Sequence, residues 1–177
     1  DRTVIGNPFP KATWGISNTF RWKGFDLYFL IQGVSGLDVF NGDGYYTESK
    51  KFNRNYVKDR WISAEYPGDG RTPTVGSAGI SWEFTDYMIE DGSFVALRDV
   101  VLGYTFDKKK LKKAGLNSLR LYASGQNLLY FWGKSYRGIN PEARVTTGSY
   151  SSPLVNGYQR GGFPIQSTVN IGFELNF

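Results

Sequence analysis

Aromatic rings make up 17% of these 177 residues. Tyr45, Tyr46, Trp61, Tyr66, Trp82, Trp132, Tyr136, Tyr150 and Tyr158 stand in stretches rich in Gly and Pro. An amphipathic ring can stack on a sugar face or anchor a protein partner. Tyr45, Tyr46, Trp61, Trp132 and Tyr136 are the candidate contacts to a substrate or partner. Any one of these rings can equally pack its own loop or stand in an interfacial girdle, and the sequence leaves both open. The carboxylates Asp38, Asp43, Glu48, Glu83 and Asp86 suggest glycosidase chemistry, which needs a pair roughly 5–9 Å apart. Spacing along the chain does not supply that separation, and loop carboxylates are ordinary surface. No catalytic residue is therefore assigned, and no enzyme is expected.

Other chemistries are excluded by residue type. The chain has no Cys and no His, so a disulfide framework, a Cys or His zinc site, a thiol nucleophile and a Ser-His-Asp triad are ruled out. Asn41-Gly42-Asp43-Gly44 has the look of a calcium loop. Placing Gly44 at the loop's sixth position puts Val39 first and Lys50 twelfth, where Asp and Glu are required. It reads as a Gly-rich turn, and no metal or cofactor is expected. Lys108, Lys109, Lys110, Lys112 and Lys113 could gather phosphates, but no aromatic platform interleaves them. They read as a solvated turn, and no nucleic-acid partner is expected despite the net charge of +5.

The elements that carry these residues are strands. Aromatics at 17% together with 22 glycines indicate a β-rich chain. No apolar run exceeds five residues, the length of Leu128 to Trp132, far short of the roughly 20 that a membrane-spanning helix needs. A spanning strand needs only alternate apolar residues, so that class stays open. The chain starts at Asp1 and its one Met is Met88, so a processed product or a piece of a longer chain is expected.

In residues 165–177 the odd positions are apolar except Ser167, and no even position is. That is period two, with one greasy and one wet face. Residues 12–22 repeat it, with Ala12, Trp14, Ile16, Phe20 and Trp22 sharing a face with Asn18. A two-residue hairpin at Lys23-Gly24 would pair Trp22 with Phe25, Phe20 with Leu27, Asn18 with Phe29, Ile16 with Ile31 and Trp14 with Gly33. In that register the Trp14 ring covers the gap at Gly33. In 94–106 the even face is Phe94, Ala96, Val100, Leu102, Tyr104 and Phe106, interrupted by Arg98. In 118–130 the apolar face is Leu119, Leu121 and Ala123. The link 107–117 offers Asp107 as an N-cap and Gly115 as a C′ residue around one helical turn.

Five strands are thus expected, near 12–22, 25–34, 94–106, 118–130 and 165–177. Long loops at 35–92 and 131–163 emerge at one end of them and short turns at the other. This is the layout of an antiparallel transmembrane β-barrel segment. A soluble β-sandwich that binds glycans is the rival, since its strands also alternate. Strand length, a wet face of Thr, Ser, Asn, Gly and Gln, and aromatics at the short-turn ends (Trp22, Phe25, Phe106, Phe177) favour lipid. Five strands cannot close, and an open edge in lipid leaves backbone groups unbonded. Either several chains share a barrel or anchor, or this is part of a larger one.

Several stretches resemble the C-terminal end of SusC/RagA-type TonB-dependent outer-membrane transporters. They are Ile5-Gly6-Asn7-Pro8-Phe9-Pro10, Trp22-Lys23-Gly24-Phe25-Asp26-Leu27, Asp91-Gly92-Ser93-Phe94-Val95-Ala96-Leu97-Arg98-Asp99, Leu102-Gly103-Tyr104-Thr105-Phe106, Leu119-Arg120-Leu121-Tyr122-Ala123-Ser124-Gly125-Gln126-Asn127-Leu128, Asn140-Pro141-Glu142 and the closing Phe177. They run in family order across nearly the whole chain. The resemblance implies an all-β fold in which this chain supplies the last five of about 22 strands. It implies import of glycans or peptides across the outer membrane of a Gram-negative bacterium. A SusD-like surface lipoprotein would be the lid, and the TonB system would act through upstream parts that also carry the plug. The strand 165–177 would close the barrel, with Phe177 acting in assembly.

Overall fold

The computed structural model describes residues 2–42, 60–70, 72, 74, 85–112, 115–143, 157–159 and 162–177. Their elements in order are β1 (Ala12–Trp22), β2 (Phe25–Ser35), β3 (Asp38–Asn41), a 3₁₀ turn (Asp86–Met88), β4 (Ile89–Asp91), β5 (Phe94–Thr105), α1 (Lys108–Leu111), β6 (Ser118–Trp132), β7 (Tyr158–Gln159) and β8 (Thr168–Asn176). The described residues are all-β apart from those short turns. Among the described residues no helix is long and apolar enough to cross a membrane.

Two compact units result. One unit holds the long strands in the order β1-β2-β5-β6-β8, a five-stranded sheet in which chain neighbours are also sheet neighbours. The β1–β2 turn has φ +46° at Lys23 and +89° at Gly24. Positive φ at both central residues is the I′ geometry, whose twist matches that of the strands it joins. The hairpin register expected from the apolar pattern agrees with two contacts. A Cβ at Gly33 would run into the Trp14 ring, and Phe20 stacks on Phe29 with centroids 6.2 Å apart. Between β5 and β6, Asp107 Oδ1 accepts the Lys109 amide at 2.9 Å, the N-cap bond of α1. Gly115 ends that turn at φ +72°.

One face of this sheet is apolar. On β8 it shows Val169, Ile171, Phe173 and Leu175, opposite Gly125, Ala123, Leu121 and Leu119 of β6. Phe25, Leu27, Phe29, Ile31 and Gly33 continue it on β2. The expected even face of 94–106 is corrected. Leu30 pairs with Asp99 but Ile31 pairs with Leu97, so Arg98 is an inserted residue, a β-bulge. An extra residue reverses the facing of everything beyond it. Val100, Leu102 and Tyr104 therefore lie on the apolar face together with Val95 and Leu97. Phe94 and Ala96 lie on the other, opposite Val34 and Gln32. The apolar face is uncovered: Ile171 is 88% and Phe173 66% exposed. All eleven residues of β1 are exposed, as are those of β8 apart from Gly172. A sandwich buries one face of each sheet, and these strands bury neither.

The other unit comprises residues 1–12, 35–93 and 132–164. The stretches read as loops hold three short strands there, in the order β4-β3-β7. β3 runs antiparallel to β4 and parallel to β7. Strands of two to four residues are too brief for a period-two pattern to register. Their side chains include the largest fully buried ones among the described residues, Glu90, Val39 and Asn41.

Candidate functional site

The polar face of the large sheet carries two side-chain clusters. Asp26 on β2 lies directly opposite Gly103 on β5. Arg120 reaches across from β6, donating from Nη2 to Asp26 Oδ2 at 2.6 Å and from Nε to Oδ1 at 3.1 Å. Its Nη1 donates to Glu174 Oε1 on β8 at 3.1 Å. One guanidinium thus ties β2, β6 and β8 by passing over β5, and Gly103 makes that passage possible. A Cβ at Gly103 would stand 2.5 Å from Asp26 Oδ1 and 2.6 Å from Arg120 Nη2. Asp26, Arg120 and Glu174, with Arg21 and Lys23, line an open concavity at the I′ turn. The fork geometry is what Arg supplies and Lys does not.

The second cluster surrounds the bulge. Arg98 donates from Nε to Gln32 Oε1 at 2.7 Å and from Nη1 to Asn127 Oδ1 at 3.2 Å, and it bonds the Tyr130 hydroxyl. Its guanidinium lies 5.2 Å from the Tyr130 ring centroid and 5.6 Å from that of Phe94. Asn127 adopts φ +52°, which Asn tolerates better than most residues. Its carbonyl accepts the Ser167 hydroxyl at 2.7 Å. This face therefore carries two clusters of fixed, mutually bonded polar groups, with the apolar Phe94 and Ala96 beside the second. The sequence signal for both clusters was the charge on strand faces, above all Arg98 breaking an apolar row.

The predicted contact residues separate. Tyr45 and Tyr46 lie outside the described residues, as do Trp82 and Tyr150. Trp61 is 45% exposed and shares a small closed loop with Ile62 and Tyr66, which are also exposed. That loop is pinned by Trp61 N donating to Thr72 O at 2.8 Å and Ile62 N to Tyr66 O at 3.0 Å. Thr72 in turn donates to both carboxylate oxygens of Asp69. Trp132 is 43% exposed and meets Tyr136 edge-on, with centroids 6.1 Å apart. Tyr136 itself is buried, contrary to its expected role as a contact. Its hydroxyl donates to Gln159 Oε1 at 2.7 Å and accepts the Asn140 amide at 3.2 Å. A phenol with both its apolar body and its polar tip satisfied inside is a packing group. It supports Trp132 rather than facing outward. Tyr158 stacks on Phe40 with centroids 5.4 Å apart. Phe177 is largely exposed.

No protein-family model matches the chain. Curated proteins do, along its full length. It is 33% identical to TonB-dependent receptor P3 and 28% identical to TonB-dependent receptor P26, both of Formosa agariphila. It is 24% identical to TonB-dependent receptor SusC of Bacteroides thetaiotaomicron. The chain spans 17%, 18% and 16% of these relatives respectively. Its fold is that of chains in solved structures of the RagAB peptide importer. In the "closed-closed" state the TM-score is 0.70 at 21% identity, over 98% of this chain and 18% of that one. In the "open-open" state it is 0.67 at 22% identity, over 96% and 17%. Along its full length the chain is thus similar to a segment of several TonB-dependent receptors, SusC among them, and it shares its fold with chains of RagAB.

Proposed function

We propose that the chain is the C-terminal part of an outer-membrane importer, supplying the last five strands of a barrel of about 22. The uncovered sheet carries this reading. A five-stranded sheet with one exposed apolar face, an opposite face carrying two bonded polar clusters and two free edges leaves most of its apolar surface without a core. Lipid against the apolar face, water inside and further strands at both edges meet all three needs. Tyr104 packs between Phe25 and Phe106 at centroid distances of 4.6 and 4.9 Å, and Trp22 stands exposed beside the turn. Such rings suit the membrane–water boundary. The short-turn end then faces the periplasm and the long connections face the outside.

The nutrient is a glycan or peptide, taken up with a SusD-like surface lipoprotein as lid and driven by the TonB system through upstream parts of the full chain. The exposed rings of Trp61, Tyr66 and Trp132 are the contacts this chain offers to substrate or lid. Tags inserted near Gly70 and Gly148 of the full-length receptor should be labelled on intact cells, and a tag near Lys110 should not. Labelling at Lys110 would invert the orientation and end the proposal. Residue 148 lies outside the described residues, so Gly70 carries the structural argument.

A further inference from the structure

We propose that Glu90 and Arg137 form a latch that makes the two long inter-strand connections one cooperative body, so that they open together and not as separate flaps. Glu90 belongs to the connection between β2 and β5, Arg137 to the one between β6 and β8. The Glu90 side chain has no solvent exposure and that of Arg137 is 14% exposed. The carboxylate accepts three hydrogen bonds. Arg137 Nε donates to Oε1 at 2.8 Å. Arg137 N donates to Oε2 at 2.8 Å and Asn41 Nδ2 to the same oxygen at 3.0 Å. Arg137 also donates to the Tyr87 hydroxyl at 3.2 Å and the Tyr87 carbonyl at 3.1 Å. Its guanidinium lies 4.9 Å from the Tyr87 ring centroid.

The strand order adds a second tie. β3 of the first connection sits between β4 of its own connection and β7 of the other. The Phe40 amide donates to the Gly157 carbonyl at 2.6 Å. In β7, Gln159 Nε2 donates to the Pro141 carbonyl at 2.7 Å while its Oε1 holds Tyr136. Withdrawing either connection strands a buried charge on the other, together with the backbone groups of a sheet edge. Burying a charge without its partner is among the costliest local defects. Neither connection can therefore leave while the other keeps its structure.

Native-state hydrogen exchange on the full-length receptor in detergent tests this. In Glu90→Gln, amides of 38–41 and of 136–143 and 158–159 should all exchange at least tenfold faster, while those of β8 are unchanged. Glu90→Gln combined with Arg137→Met should be no faster than Glu90→Gln alone, since the second change removes the charge left behind. Acceleration confined to one connection, no acceleration at all, or additive effects in the double variant would each overturn the latch. If Glu90→Gln does not reach the membrane, the wild-type protein decides. Under low denaturant both connections should exchange through one opening with one denaturant slope, and two distinct slopes would refute the proposal.

Discussion

Gly103 shows how a residue with no side chain sets what its neighbours can do. It lies between Asp26 and Arg120, whose ion pair spans the strand it occupies. Gly103→Val should push the two apart and cost about 1–3 kcal/mol as an overpacked site. A heat-modifiability gel on the full-length receptor reads this, and an unchanged unfolding temperature would remove the bridging role. The aromatic residues divide by exposure. Trp61→Ala and Trp132→Ala should weaken binding of substrate or lid at constant receptor level. Tyr136→Phe should instead cost about 1–2 kcal/mol through the buried Gln159 acceptor it leaves, with binding retained. Loss of binding in Tyr136→Phe at unchanged stability would return it to the contact surface. Residue type alone made all three rings equal candidates. Its burial and the partners of its hydroxyl distinguish Tyr136, and those partners are Gln159, 23 residues away, and Asn140, four residues away.

At the scale of elements, strands with a wet and a greasy face were legible wherever alternation ran unbroken. β1 spans Ala12–Trp22 and β8 lies inside the segment that showed the strictest period. Alternation failed at β5 because a bulge leaves the sequence looking regular while the facing reverses. Arg98 in an apolar row was its only mark. Asn127 in β6 conceals a similar break: Leu128 lies against Gly125, three residues away, a spacing that regular alternation sends to opposite faces. Facing can be tested on β8, where the pattern is clean. Ile171→Arg at a lipid-facing site should cost about 2–4 kcal/mol and Asn170→Arg much less. Equal losses of folded receptor would refute the assignment. The short strands β3, β4 and β7 were not legible, because their pairing is specified by the buried Glu90, Asn41 and Gln159 and not by period.

For the whole molecule, β8 is an edge on which barrel closure would depend. Deleting residues 165–177 should abolish the inserted barrel, since both flanks then keep open edges. Phe177→Ala should spare an already inserted barrel, its ring being 80% exposed in this chain. Outer-membrane fractionation separates the outcomes, and normal insertion after the deletion would sink the closing role. The sheet order also bears on how the chain reaches its folded state. Because the five long strands follow one another in the sheet in chain order, none of them must be threaded between two that are already joined. The β1–β2 hairpin forms across two residues, on the order of microseconds for such hairpins. Bringing Phe94 to Val34 instead closes a connection of about sixty residues, an entropic cost on the order of 3 kcal/mol above a two-residue turn. That docking is the step where an incomplete sheet would wait longest with a bare apolar edge, and so where a periplasmic escort would matter most.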